Sequence, residues 1–207
     1  MLYLAIYLIV MFAAWAMMVR EGLWSNTITL MNIIVSGLVA FGFYSPLVIY
    51  LNEEMSNGQH TYWLDFAVIW ALYCATMVIC RTLTAAASKT RMRFKNPIDP
   101  IGGPIMGLLA AWVLAGFTLA TLHTSPMPKN AFSGKLIQTG ELSGFPLTSP
   151  DVAWLRFVDK MSLPSALGSK STERFISPAF VRIYGDRREK FEKADKLIVP
   201  RTVTPSG

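Results

Sequence analysis

Residues 81–95 read RTLTAAASKTRMRFK, a stretch carrying Arg81, Lys89, Arg91, Arg93 and Lys95 and no acid, and its flanks decide the fold. On one side Tyr62 to Cys80 holds a single charged residue, Asp65; on the other, Pro100 to Leu122 holds none. Earlier in the chain Met1 to Val19 and Leu23 to Leu51 are uncharged throughout. A helix rises ~1.5 Å per residue and a bilayer core is ~30 Å thick, so about 20 apolar residues cross it. Each run meets that length. The expectation is an all-α membrane protein with four transmembrane helices, over about residues 1–19, 23–51, 62–80 and 101–122. A short polar tail with one or two amphipathic helices follows.

Composition agrees: 53% of the 207 residues are hydrophobic and 15% charged, which is membrane composition. Six of the nineteen Lys and Arg precede Thr124, and the other thirteen lie beyond it beside eight acids. The chain therefore divides into a membrane block, residues 1–123, and a tail, residues 124–207, whose last residues are expected to be disordered. A net charge of +6 raises nucleic acid as a partner, but the basic residues either cluster in one short loop or alternate with acids, as in Asp186, Arg187, Arg188, Glu189 and Lys190. That is a loop obeying the positive-inside rule and a solvated face, with no nucleic-acid partner. Cys74 and Cys80, six positions apart in one span, point to different helix faces and read as buried small hydrophobes. No Lys or Arg precedes Arg20, so the first apolar run reads as an uncleaved helix despite Ala14, Trp15 and Ala16.

Charge also orients the chain. Cytoplasmic loops retain Lys and Arg, which places the loop from Arg81 to Asp99 inside. The loop from Asn52 to Thr61, with Glu53 and Glu54 and no Lys or Arg, then lies outside. Threading the chain through these assignments puts both termini and the tail on the extracytoplasmic face.

Within the spans, Pro46 cannot donate to the carbonyl of Gly42, so a kink is expected between them. Asn32 and Ser36 read as polar glue between helices. Gly103, Gly107, Ala111 and Ala115 form a stripe of small residues on the fourth span, and Ala67, Ala71 and Ala75 form one on the third. These stripes are expected to pack together, with a homodimer face as the alternative. Asn96, Pro97, Ile98, Asp99 and Pro100 restrict the backbone, so the fourth helix is expected to restart near Ile101 with Pro104 in its first turn.

In the tail, frequent Pro and Gly between Thr124 and Ser149 preclude long regular structure. Ser149, Pro150 and Asp151 then read as a helix start. Trp154, Phe157, Val158 and Met161 share one face, bound for the membrane interface or for the four-span block. A second helix starts at Ser177 and Pro178, presents Phe180, Ile183 and Tyr184, and is expected to stop at Gly185. Glu189 with Lys193, and Glu192 with Lys196, follow at helix-pair spacing.

No nucleophile, metal or phosphate-loop signature is present, so no catalytic residue, cofactor or metal is expected. His60, His123 and Asp65 map to the outer boundary of the block. Asp65 and Asn32 are the candidate functional polar residues, because an ionisable group within a span is costly unless paired or wetted.

The span ending in Val19, Arg20, Glu21, Gly22, the long second span, the basic third loop, and Asn96 to Gly107 leading into a glycine-rich helix together resemble the colicin V production protein (CvpA) family. The resemblance covers roughly Met1 to Leu122. It implies a four-span protein of the bacterial inner membrane, linked to colicin V production or export and to envelope maintenance, with no established catalytic residues. Some relatives join such a block to an external serine protease domain; this tail is too short for one and lacks its triad pattern. The chain also departs from the family at Met1, Leu2, Tyr3, where an acid is common.

The expected function is a non-enzymatic envelope anchor or scaffold that holds its tail outside the membrane. Its partners are the lipid bilayer, an envelope protein reached through the tail, and a second copy of the chain. A small transporter or channel subunit using Asp65 and Asn32 is the alternative.

Overall fold

In a computed structural model of the protein, residues 2–55, 59–61, 63–87, 98–127, 149–166, 175–192 and 198–200 are described. They form helices α1 (Leu2–Met18), α2 (Leu23–Met55), α3 (Leu64–Ala87), α4 (Ile98–Leu122), α5 (Pro150–Met161) and α6 (Ser177–Glu192). Two short strands, β1 (Gln59–Thr61) and β2 (Ile198–Pro200), pair antiparallel with His60 opposite Val199. The fold is helical because these apolar runs leave the backbone no partner in lipid but itself. Helices α2, α3 and α4 are each long and apolar enough to cross a membrane. Helix α1 is equally apolar but has 17 residues, which reach about 26 Å. Large apolar side chains stand exposed along all four, among them Ile9, Phe43, Val78, Leu83 and Ile105.

Helix α4 is the axis of the bundle. Its most apolar window is 56% buried, against 17% for α3. It packs on α1, α2 and α5, whereas α3 lies on α2 and reaches α4 through the Trp70 and Tyr73 rings, which meet Phe117 and Thr121. The two small-residue stripes therefore do not face each other. A Cβ on Gly103 would come 2.7 Å from the carbonyl oxygen of Glu21, and one on Gly107 would come 3.1 Å from Nδ2 of Asn26. Ala111 is fully buried, and Ala115 joins Tyr3 and Tyr7 of α1 in a core cluster. On α3, by contrast, Ala67 is half-buried while Ala71 and Ala75 are exposed. Small residues permit close approach without choosing a partner, and here the turn between α1 and α2 takes the place expected of α3. What joins α3 to α2 is polar as well as apolar: Nδ2 of Asn32 donates to Oγ1 of Thr84 at 3.2 Å, and the Ser36 hydroxyl meets Sδ of Met77 at 3.8 Å.

Several sequence expectations shift. Helix α2 is one 33-residue helix and holds Pro46, where the kink is expected, inside it. Helix α4 starts at Ile98 rather than Ile101, which leaves Pro104 beyond the first turn. Helix α6 continues through Gly185, a residue that costs a helix only about 1 kcal/mol. Cys74 is exposed rather than buried, and Cys80 is half-buried. Arg81 lies in α3, while Lys89, Arg91, Arg93 and Lys95 fall outside the described residues, as do Lys193, Lys196 and the final residues 201–207.

The apolar faces of the tail helices settle on the block. Trp154, Leu155 and Val158 of α5, with Phe180, Val181 and Tyr184 of α6, share one core cluster with Phe41, Ile69, Tyr73 and Phe117. Two glycines admit this contact. A Cβ on Gly37 would lie 2.5 Å from the Trp154 ring, and one on Gly116 would lie 2.8 Å from the carbonyl oxygen of Pro150. The described tail and the block thus have a common core.

Candidate functional site

The polar residues of the fold gather at the end of the bundle that the tail covers, where four helix ends supply them. Tyr3 and Asp65 are each the second residue of a helix, α1 and α3, and His123 follows the last residue of α4. The turn after α4 is tightened by backbone bonds from His123 to Ala120 and from Thr124 to Thr121, and by the Thr124 hydroxyl donating to the carbonyl of Thr121 at 2.8 Å. Asp151 is the second residue of α5. Tyr184, Arg187 and Arg188 share a face of α6 because they are three and four positions apart.

Two carboxylates organise the cluster. Asp151, 2% exposed, accepts the Tyr3 hydroxyl at 2.5 Å and lies 3.1 Å from Nε2 of His123. Burial alone would raise its carboxyl, but the bond and charge of His123, then Tyr3 and the backbone of Val152, hold it below the usual range. Asp65, also 2% exposed, accepts the Tyr184 hydroxyl at 2.8 Å and pairs with Nη1 of Arg187 at 3.1 Å. The Arg187 guanidinium also stands over the Tyr184 ring, 4.8 Å from its centre. Burial, followed by Tyr44 and Asp65, pushes the Tyr184 phenol well above its ordinary value. Burial also works against the Arg187 charge, but Tyr184 and Asp65 more than compensate and raise it. Removing Arg187 would leave a dry carboxylate behind, the costly direction, whereas Arg187 is one-third exposed and solvent screens part of the cost of removing Asp65.

Arg188 differs from its neighbour. Its Nη2 donates to the carbonyl of His123 at 2.9 Å, and the residue is 3% exposed. Burial pushes its guanidinium down from the ordinary value. Asp159 joins the two tail helices: one of its oxygens accepts both the amide and the hydroxyl of Ser177, at 3.2 and 2.8 Å, at the start of α6.

A second polar knot closes the opposite end. Asn26, fully buried, donates from Nδ2 to the carbonyls of Gly103 at 2.7 Å and Met18 at 3.0 Å. Asp99 accepts the amide of Leu23 at 2.8 Å and so caps α2. The boundary residues of the resemblance, Glu21 and Gly22 on one side and Asp99 to Gly107 on the other, meet in this knot. The family described as Colicin V production protein matches residues 3–145. The chain belongs to that family. No curated protein and no solved structure matches it. The apolar helices agree with the membrane character of a colicin V production protein.

Of the two polar residues singled out by sequence, the structure places Asp65 in the cluster under the tail and Asn32 between α2 and α3, so they form no common site. Sequence reasoning missed Tyr3, Arg187, Arg188 and Asn26. It treated Asp151 only as an acid near a helix start. One signal was available: Tyr184 and Arg188 follow the buried Phe180 and Tyr184 by one helical turn each, so the apolar face of α6 continues into its basic residues. Among the described residues, no three His, Cys, Asp or Glu are grouped to hold a metal.

Proposed function

We propose that this member of the colicin V production family is a non-enzymatic scaffold of the bacterial inner membrane, with four spans, both termini outside, and a tail that forms a fixed extracytoplasmic platform. The observation that carries this reading is the double lock of the tail: Asp151 of α5 onto Tyr3 and His123, and Tyr184 with Arg187 of α6 onto Asp65. Buried charges held this way make a rigid surface for a partner protein of the envelope. Engagement of Asp65 by Tyr184 and Arg187, and of Asn32 by Thr84, supports structural roles for both over an ion path. The short α1 crosses packed along α4, and local thinning of the bilayer absorbs its length.

The strand pairing also supports a tail on the same side as the α2–α3 loop. The test is a topology map. A membrane-impermeant thiol reagent applied to intact cells should label a cysteine added after Gly207 and one replacing Glu53, but not one replacing Lys89. Labelling at Lys89, or protection after Gly207, overturns the orientation. Replacing Asp65 by Asn and Asn32 by Leu should leave ion flux in reconstituted vesicles unchanged; flux that is present and then abolished points instead to a transporter.

A further inference from the structure

Between the turn after α4 and the basic face of α6 lies a small recess, lined by residues 123–126 and by Tyr184, Arg187 and Arg188. Its volume is about 10 Å³, room for one water-sized atom, and it opens to one side. At its wall stands Arg188, 3% exposed, with Nη2 spent on the His123 carbonyl. Its Nε and Nη1 are buried and have no hydrogen-bond partner among the described residues. The two acids of the cluster are turned elsewhere, Asp151 to Tyr3 and His123 and Asp65 to Tyr184 and Arg187. Nδ1 of His123 is likewise buried without a partner among the described residues. A buried guanidinium that lines an oxygen-sized space and keeps unused donors is the complement of an oxyanion.

The mouth narrows the choice. One-third of the Arg187 side chain is exposed there, and Ser125 is half-buried with it. Ile183, 41% exposed, precedes Arg187 by four positions and stands in line with it on α6, and Ile176, 49% exposed, lies immediately before the helix. A tetrahedral phosphate fits this sequence of surfaces: one oxygen enters the recess, the others meet the groups at the mouth, and the ester extends over apolar side chains.

We propose that this recess binds the oxyanion of a phosphate or phosphate ester, with one oxygen against Arg188 and the rest of the group between Ser125 and Arg187. Its source is either the headgroup of a membrane lipid or soluble phosphate. The lipid source rests on the membrane placement proposed above; the soluble one does not, so the two readings fail separately.

The full chain, purified in a maltoside detergent, is titrated in one arm with inorganic phosphate against chloride at equal ionic strength. In the other it receives phosphatidylglycerol in mixed micelles against diacylglycerol, which lacks the phosphate. The midpoint of thermal unfolding and hydrogen exchange of the α6 amides are followed. At least one phosphate-bearing probe should raise the midpoint and protect α6. Arg188→Gln should weaken that response tenfold or more, and Arg188→Lys, which keeps the charge but loses the planar fork, by less. A response to phosphatidylglycerol alone identifies a lipid site, and a response to inorganic phosphate identifies a soluble ligand. Failure of both probes in the wild type overturns the proposal, as does an equal response in R188Q. If R188Q does not fold, the α6 protection of the wild type and R188K decides the same question.

Discussion

Replacing Gly37 by Ala adds one methyl group where α5 lies against α2. The new Cβ would stand 3.3 Å from Phe117 and 2.5 and 2.6 Å from two ring carbons of Trp154, the last two about 1–1.5 Å inside the contact distance of about 3.5–4.0 Å. The indole has little room to yield, since Phe117, Phe157 and Phe41 surround it at centroid distances of 5.8, 5.7 and 6.3 Å. Overpacking of this kind costs about 1–3 kcal/mol, while the loss of a helical glycine returns up to about 1 kcal/mol. The two effects separate in a Trp154→Leu background, where the overlap is gone and only the gain remains. The coupling between the sites should therefore be about 1–3 kcal/mol, or roughly 5- to 150-fold in the docking equilibrium of α5. Hydrogen exchange of the α5 amides in detergent micelles measures it across the four proteins of the cycle. Gly37→Ala should loosen α5 when Trp154 is present and leave it unchanged or tighter when Leu replaces it. Equal effects in the two backgrounds would refute the close packing of α5 on α2.

Three further outcomes are expected. Asp65→Asn, which keeps an acceptor for Tyr184 but strands the one-third exposed Arg187, should loosen α6 at a cost of about 1–3 kcal/mol while α5 stays docked, as seen in protease cleavage beyond residue 162. Asp151 lies below its ordinary value of 3.8 in the folded protein, so its stabilisation is complete above about that pH and is lost as the pH falls through the folded value. Acid unfolding of Asp151→Asn should accordingly be flatter below pH 3.8 than that of the wild type, and parallel curves would contradict the assignment. Asn26→Ala removes the bonds to Gly103 and Met18 and should cost about 2–3 kcal/mol in thermal unfolding without changing α5 exchange.

The helices and their apolar character were legible because lipid imposes a length and a charge rule that uncharged runs satisfy on their own. Helix partners were not. The stripe on α4 was visible in Gly103, Gly107, Ala111 and Ala115, yet nothing in one dimension indicated that Asn26 would draw the α1–α2 turn onto it in place of α3. Helix ends were missed where tertiary contacts outweighed local preference: Gly185 did not end α6, since Tyr184 before it and Arg187 after it are both fixed to Asp65. The cluster under the tail was half legible. Asp65 and His123 announced themselves by rarity, whereas Arg187 and Arg188 lay in a mixed-charge run that looks like any solvated surface.

Because Tyr3, Asp65 and His123 sit at the ends of three different helices, the anchorage of the tail is assembled only when all three have been threaded in the same sense. On the four-span topology proposed above, a nascent chain with one helix inverted would carry that residue to the opposite leaflet and offer α5 and α6 an incomplete seat. Closure of the tail thus reads out the correctness of insertion, and a misinserted copy would be left with its carboxy-terminal helices undocked and open to proteolytic disposal.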